Sequence, residues 1–229
     1  MEIVLLYSTP LEVGVKAIRT CWQSQDKSDN MGEKDLSLVY RVANKNKHSS
    51  TIEHLSYTFY ISGISRALLQ ELARHRMASL SVKSTRYTLK ELKEEDPFCT
   101  ADFDYKGWLT GKIDASGGYY SKRASKYLVW TENNRIDISS VVALENLRIQ
   151  LKSGISNDIA KYCLPESYKT ELTWSINARS LQNFLVLRSS KAALWEIRDL
   201  ANMLYNNLPE NHKFLFKDFI YSNKEINNG

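Results

Sequence analysis

Three segments carry side chains whose types and spacing can do chemistry. The first is Arg74-His75-Arg76, followed within fourteen residues by Ser79, Ser81, Lys83, Ser84, Thr85, Arg86 and Tyr87. Guanidinium forks make bidentate contacts to anionic oxygens, and hydroxyls add further donors, so this mixture suits a phosphate-bearing ligand. The plain alternative is a helix C-terminus whose cations complement the macrodipole. The second segment runs from Asn177 through Arg179 and Asn183 to Arg188. Arg179 and Asn183 lie four apart and share a helix face, and carboxamides read the donor and acceptor edges of a heterocycle. Arg188 closes the apolar run Phe184-Leu185-Val186-Leu187, either as a snorkelling surface residue or as a deliberately buried charge. The third is His48-Ser49-Ser50-Thr51-Ile52-Glu53-His54. Its two histidines fit no common zinc spacing and have no cysteine beside them, which favours hydrogen-bonding roles and no metal.

Other chemistries find little support. Cys21, Cys99 and Cys163 are an odd, scattered set with no histidine near them in sequence, so neither a disulfide framework nor an activated thiolate follows. There is no GxSxG elbow, P-loop or GxGxxG, so a bound nucleotide must be held by a non-Rossmann route. The 31 Lys and Arg against 26 Asp and Glu leave a net charge of +5, a mild excess that suits phosphates but is too weak to argue for nucleic acid. No apolar run reaches the roughly 18 residues of a membrane span. Met1 to Leu6 has no basic leader, so a cytoplasmic protein is expected.

The elements that must position these residues are legible in outline. At 229 residues with 43% apolar content the chain is expected to form one domain over 1–229. Strands are expected at 2–7, 55–62 and 168–176, the last two from their alternation. Helices are expected at 11–22, 36–46, 64–75, 119–133, 137–152, 155–163, 178–188 and 191–207, with a polar loop over 23–35 and an interruption at Gly63. The charged, glycine-bearing stretch 90–118 reads as an insertion or mobile region. The class is α+β: a few-stranded, mostly antiparallel sheet with helices packed around it.

Taken in order, these segments resemble one family. Arg-His-Arg, seven residues, Ser84 and then Arg86-Tyr87 is similar to the signature of the flavin-dependent thymidylate synthases. The upstream His48 to His54 segment and the downstream Asn177 to Arg188 segment with Trp195-Glu196-Ile197 follow the same family's order, over roughly 36–208. The resemblance implies a homotetramer that binds FAD between subunits. It implies methylation of dUMP to dTMP, with methylenetetrahydrofolate as carbon donor and NADPH as reductant. By position, Arg74, His75, Arg76, Asn177, Arg179 and Asn183 would contact FAD, with Ser50 reaching it from a neighbouring subunit. Ser84 and Arg86 would hold the dUMP phosphate. Arg74, Glu71 and Lys161 would also meet dUMP, and Arg188 would face the uracil ring as the catalytic residue. His48 is a further candidate.

Three positions depart from the family pattern. Val82 replaces Glu or Gln and leaves only its backbone, Glu71 replaces Gln, and Lys161 replaces Arg. Glu71, three before Arg74 and four before His75, is placed for a helical ion pair. Two other readings compete. The basic and aromatic residues Arg86-Tyr87, Lys122-Arg123, Lys126-Tyr127 and Trp130 can stack bases and hold single-stranded nucleic acid. A non-catalytic assembly protein would use the Tyr-rich 119–130 segment and the stripe Leu187, Leu194, Trp195 and Ile197 as interface, although such stripes usually point into a core.

Overall fold

The computed structural model describes residues 1–99 and 121–221. Its elements run β1 (Glu2–Ser8), α1 (Leu11–Cys21), α2 (Glu33–Tyr40), β2 (Ser56–Ser65), α3 (Arg66–Leu72), β3 (Ala78–Val82), α4 (Thr85–Thr88), α5 (Ser121–Ala124), α6 (Asn134–Lys152), α7 (Asn157–Ala160), β4 (Lys169–Asn177), α8 (Ala178–Arg188) and α9 (Trp195–Asn206), with short 3-10 turns between and after them and a π-helical turn at Arg41–Lys45. The four strands form one antiparallel sheet in the order β1–β2–β4–β3. The chain divides into two compact units, one of Met1–Ser62, Glu71–Ser81 and Leu172–Gly229, the other of Gly63–Gln70 and Val82–Glu171.

The first unit is built on strict alternation. In β2, Tyr57, Phe59 and Ile61 point inward, and in β4 Leu172, Trp174 and Ile176 do the same. A pleated strand sends every second side chain to one face, so two alternating strands make one apolar surface. Helices cover it: α1 brings Leu11, Val15 and Ile18, α8 brings Leu181, Phe184 and Leu185, and α9 brings Ile197, Leu200 and Leu204. β2 runs on past Gly63, whose φ of 70° is available to glycine at little cost, so the expected interruption is a kink within the strand. The helix expected at 64–75 is accordingly the shorter Arg66–Leu72.

The polar stretch 23–35 is an ordered wrap around one buried ion pair. The Arg19 Nε donates to Asp35 Oδ1 at 2.8 Å, and a second guanidinium nitrogen pairs with the same oxygen. Arg19 also donates to the carbonyls of Ser24 and Lys27 at 2.9 and 3.0 Å. Asp35 accepts from Ser28 Oγ at 2.6 Å and from the Met31 amide at 3.1 Å. Burial opposes ionisation of Asp35, but those hydrogen bonds and the charge of Arg19 outweigh it and hold the carboxyl down at about 2.

The second unit packs around α6. Asn133 caps it, its side chain accepting from the amides of Arg135 and Ile136. Val141, Leu144, Leu147 and Leu151 face Leu89, Leu92, Phe98, Tyr127, Leu128 and Tyr168. The helix expected at 119–133 is a correction: in the described residues it ends at Ala124, because Leu128 bridges Tyr168 and Tyr127 turns inward at 6% exposure. Of the expected variable stretch, 90–99 contains the end of the 3-10 helix Leu89–Lys93, and 100–118 lies outside the described residues.

Candidate active site

The site grows from two chain ends that the first unit brings together. The first is the N-terminus of α8. Asn177 caps it, its carboxamide oxygen accepting from the Ser180 amide at 2.9 Å, so its NH2 is the end left to offer a ligand. Arg179 and Asn183 then stand exposed on one face, as their spacing predicts, while Leu181, Phe184 and Leu185 face the core. The second end follows α3, which stops at Leu72 with Glu71 in its last turn. Arg74, His75 and Arg76 lie beyond it and lead into β3.

Arg188 ends α8 and reaches across to that second segment. Its Nε donates to His75 Nε2 at 2.9 Å, Nη1 donates to Glu71 Oε2 at 2.8 Å, and Nη2 donates to the Glu71 carbonyl at 3.3 Å. Its side chain is 17% exposed, so Arg188 is part-buried and neither faces bulk water nor lies wholly in the core. Three of its five N–H groups are held, and two have no partner among the described residues. The His75 ring stands edge-on to Phe184 at 4.8 Å. Burial first, then the nearby Arg188 charge, push its pKa down to about 4 against the opposing pull of Glu71. His75 is therefore neutral near pH 7, with Nε2 as acceptor and the proton on Nδ1. Glu71 also meets Arg74 at 3.4 Å, the ion pair its position in sequence suggests, but its shorter contact is with Arg188.

Around these groups lies a cleft of about 730 Å³ lined by Arg74, His75, Arg76, Asn177, Arg179, Asn183 and Arg188. Seven candidates drawn from two distant segments of sequence thus share one concavity. Glu53 lines it as well and pairs with Arg179 at 2.5 Å. The sequence offers Glu53 only as a neighbour of two histidines, and its partner 126 residues away leaves no local signal. A larger hollow of about 1150 Å³ beside α1 and α2 holds none of the candidates, so size does not pick the site. Neutral amides and four guanidiniums against the carboxylates of Glu53 and Glu71 make the smaller cleft a receptor for anionic oxygens and a heterocycle edge.

Other candidates lie elsewhere. Ser50 lines a separate recess of about 520 Å³ with Cys21, Thr51 and His54. His48 is exposed in the turn before the 3-10 helix Ser49–Ile52. Ser84, Arg86, Lys161 and Val82 belong to the second unit. There Ser84 precedes α4, Arg86 Nε pairs with Asp158 Oδ1 at 2.9 Å, and the Asn157 amide nitrogen donates to the Arg86 carbonyl at 2.7 Å. Lys161 begins the 3-10 turn directly after α7, and α7 packs against α4, which carries Arg86. Among the described residues no group of three His, Cys, Asp or Glu is placed to hold a metal, and no helix is long and apolar enough to cross a membrane.

The rival readings keep only part of their surfaces. The Tyr127 hydroxyl bonds Glu95 and the Trp130 indole donates to Ser125 within the fold, whereas Arg86, Tyr87, Arg123 and Lys126 stand exposed. The Leu187 to Ile197 stripe is divided: Ile197 is fully buried, while Leu187 lines the cleft.

The profile of the Thy1 family, described as thymidylate synthase complementing protein, matches residues 3–212. The flavin-dependent thymidylate synthase of Wolinella succinogenes is 61% identical over 216 residues, covering 94% of this chain and 97% of that one. The chain belongs to the flavin-dependent thymidylate synthase family. The flavin-dependent thymidylate synthase of Campylobacter jejuni is 58% identical over 225 residues, covering 98% and 100% of the two chains. Among solved structures, thymidylate synthase X from Helicobacter pylori with FAD and dUMP has a TM-score of 0.84 at 50% identity, covering 96% of this chain and 100% of that one.

Proposed function

We propose that this chain converts dUMP to dTMP by reductive methylation, with methylenetetrahydrofolate as carbon donor, NADPH as reductant and FAD as bound cofactor. Family membership makes it an enzyme of the flavin-dependent type. One observation carries the finer reading: the convergence of Arg74, His75, Arg76, Asn177, Arg179, Asn183 and Arg188 on one cleft. The donor set fits FAD, since exposed guanidiniums suit its pyrophosphate and the amides of Asn177 and Asn183 suit the edge of a ring system. Ser50, in its separate recess, serves the cofactor of a neighbouring subunit in a homotetramer, and the whole chain works as one catalytic domain in the cytoplasm. The dUMP phosphate falls to Ser84 and Arg86, with Lys161, Arg74 and the Val82 backbone as further contacts to dUMP, while Glu71 meets the nucleotide's site through Arg188 and Arg74.

In the overall reaction the folate's methylene carbon and one hydride become the methyl group, and the C5 hydrogen of uracil leaves as a proton. Bound FAD supplies the redox capacity that links NADPH to that hydride. The chain's own task is to make C5 electron-rich without a thiolate. Cys99 is unsuited to attack, since burial and then the Glu145 charge push its thiol up to about 11. Arg188 does the work electrostatically: a half-enclosed guanidinium beside N3 and its carbonyl stabilises negative charge as it develops on the ring. Neutral His75 takes one Arg188 donor without cancelling its charge.

The direct test is visible. Purified protein given FAD turns yellow, bleaches with NADPH, and forms dTMP from dUMP and methylenetetrahydrofolate. Protein that takes up no FAD would overturn the reading. Ser84→Ala is expected to weaken dUMP binding by roughly tenfold to 10²-fold, the worth of one lost hydrogen bond to a charged oxygen, and to leave FAD binding unchanged. Titrations that show equal loss for both ligands would remove Ser84 from the phosphate site.

A further inference from the structure

We propose that Glu71 is a positioning residue whose carboxylate, shared between Arg188 and Arg74, fixes the plane of the Arg188 guanidinium in the cleft. The inference rests on the role given above to Arg188. A guanidinium is planar, and a free arginine samples many rotamers about four bonds. Here three different nitrogens meet three acceptors: the Glu71 carboxylate at 2.8 Å, the Glu71 carbonyl at 3.3 Å and His75 Nε2 at 2.9 Å. One residue supplies two of the three, through side chain and backbone, so the plane cannot turn without breaking both. The remaining two N–H groups are thereby aimed before any ligand arrives. The second carboxylate oxygen reaches Arg74 at 3.4 Å and ties the spacing of the two cations to one anion. The carboxylate is itself held on the last turn of α3, beside the fully buried Leu72.

The sequence departure at this position acquires a meaning. A glutamine, the usual residue of the pattern, offers the same acceptor oxygen to Arg188 but no charge for Arg74. Substitution by alanine removes the acceptor altogether, leaving only the backbone carbonyl.

The test compares FAD-loaded Glu71→Ala, Glu71→Gln and the parent at saturating dUMP. Expected is a kcat loss of about tenfold to 10²-fold in Glu71→Ala at unchanged FAD content, the scale of an ångström-level misplacement, with Glu71→Gln within about threefold of the parent. A loss confined to the KM for dUMP would make Glu71 a plain substrate contact and overturn the proposal. A Glu71→Gln variant as impaired as Glu71→Ala would overturn it too. A second readout needs no turnover: the titration of His75 by NMR in histidine-labelled protein. The charged groups facing this ring are Arg188 and Glu71. If the clamp holds Arg188, then Glu71→Ala frees it to swing away, its repulsion is lost, and the His75 pKa rises from about 4 toward the ordinary value. If Arg188 stays without Glu71, loss of the carboxylate lowers the His75 pKa further and the proposal fails. A parent protein that makes no dTMP defeats the functional reading, while the His75 titration still decides the clamp.

Discussion

Arg188→Ala is expected to fold, to retain FAD and to lose dTMP formation by about 10²–10³-fold, the usual consequence of removing one preorganised donor, equivalent to roughly 3–4 kcal/mol. Arg188 is 17% exposed, three of its nitrogens are anchored, and none of its contacts holds two core elements together by apolar packing. Its loss therefore removes charge from the cleft more than it loosens the fold. Arg188→Lys keeps the charge but cannot reproduce the planar fork that bonds Glu71 and His75 together, so it is expected to rescue little. Single-turnover assays at saturating dUMP, with flavin content measured in the same samples, check both. Turnover near that of the parent in Arg188→Ala would take this residue out of the mechanism.

Asp35→Ala is expected to cost about 3–5 kcal/mol of stability, because it leaves Arg19 as a buried cation without its counter-charge. In a chain of this size that is a fall in Tm on the order of 10 °C. The effect should be far larger than for an exposed pair such as Arg86 and Asp158, which is worth about 1 kcal/mol at most. The pair also sets an acid limb. Asp35 is held at about 2 in the folded chain against an ordinary 3.8, so its contribution is fully present above about pH 4 and is lost as pH falls toward 2. Thermal melts of the parent and of Asp35→Ala between pH 2 and 6 read this directly. The two curves should converge at the acid end, and parallel curves would show that Asp35 does not carry the linkage.

Much of the scaffold was written in local pattern. The alternations near 55–62 and 168–176 became β2 and β4, and Asn177 followed by Ala178–Arg188 became a capped helix with the expected bounds. Those signals are local because period and capping are fixed by neighbours in the chain. What failed depended on distant partners. The polar loop at 23–35 carries no local sign of its buried ion pair, since Arg19 and Asp35 are sixteen residues apart in sequence. The helical reading beyond Ala124 lost to the sheet-like bridge between Leu128 and Tyr168. At the site, residue types and family likeness named seven residues that line one cleft. The spacing anticipated the Glu71–Arg74 ion pair but gave no sign of the shorter contact with Arg188, which arrives from 117 residues away.

The central claim is that the flavin cleft also presents Arg188 to the pyrimidine ring of the nucleotide. The measurement that tests it most directly is the absorbance difference spectrum of the FAD-loaded protein during titration with dUMP. A perturbation of the flavin bands that saturates at one dUMP per FAD, and that Arg188→Ala diminishes, is the predicted result. A flavin spectrum indifferent to saturating dUMP would contradict it.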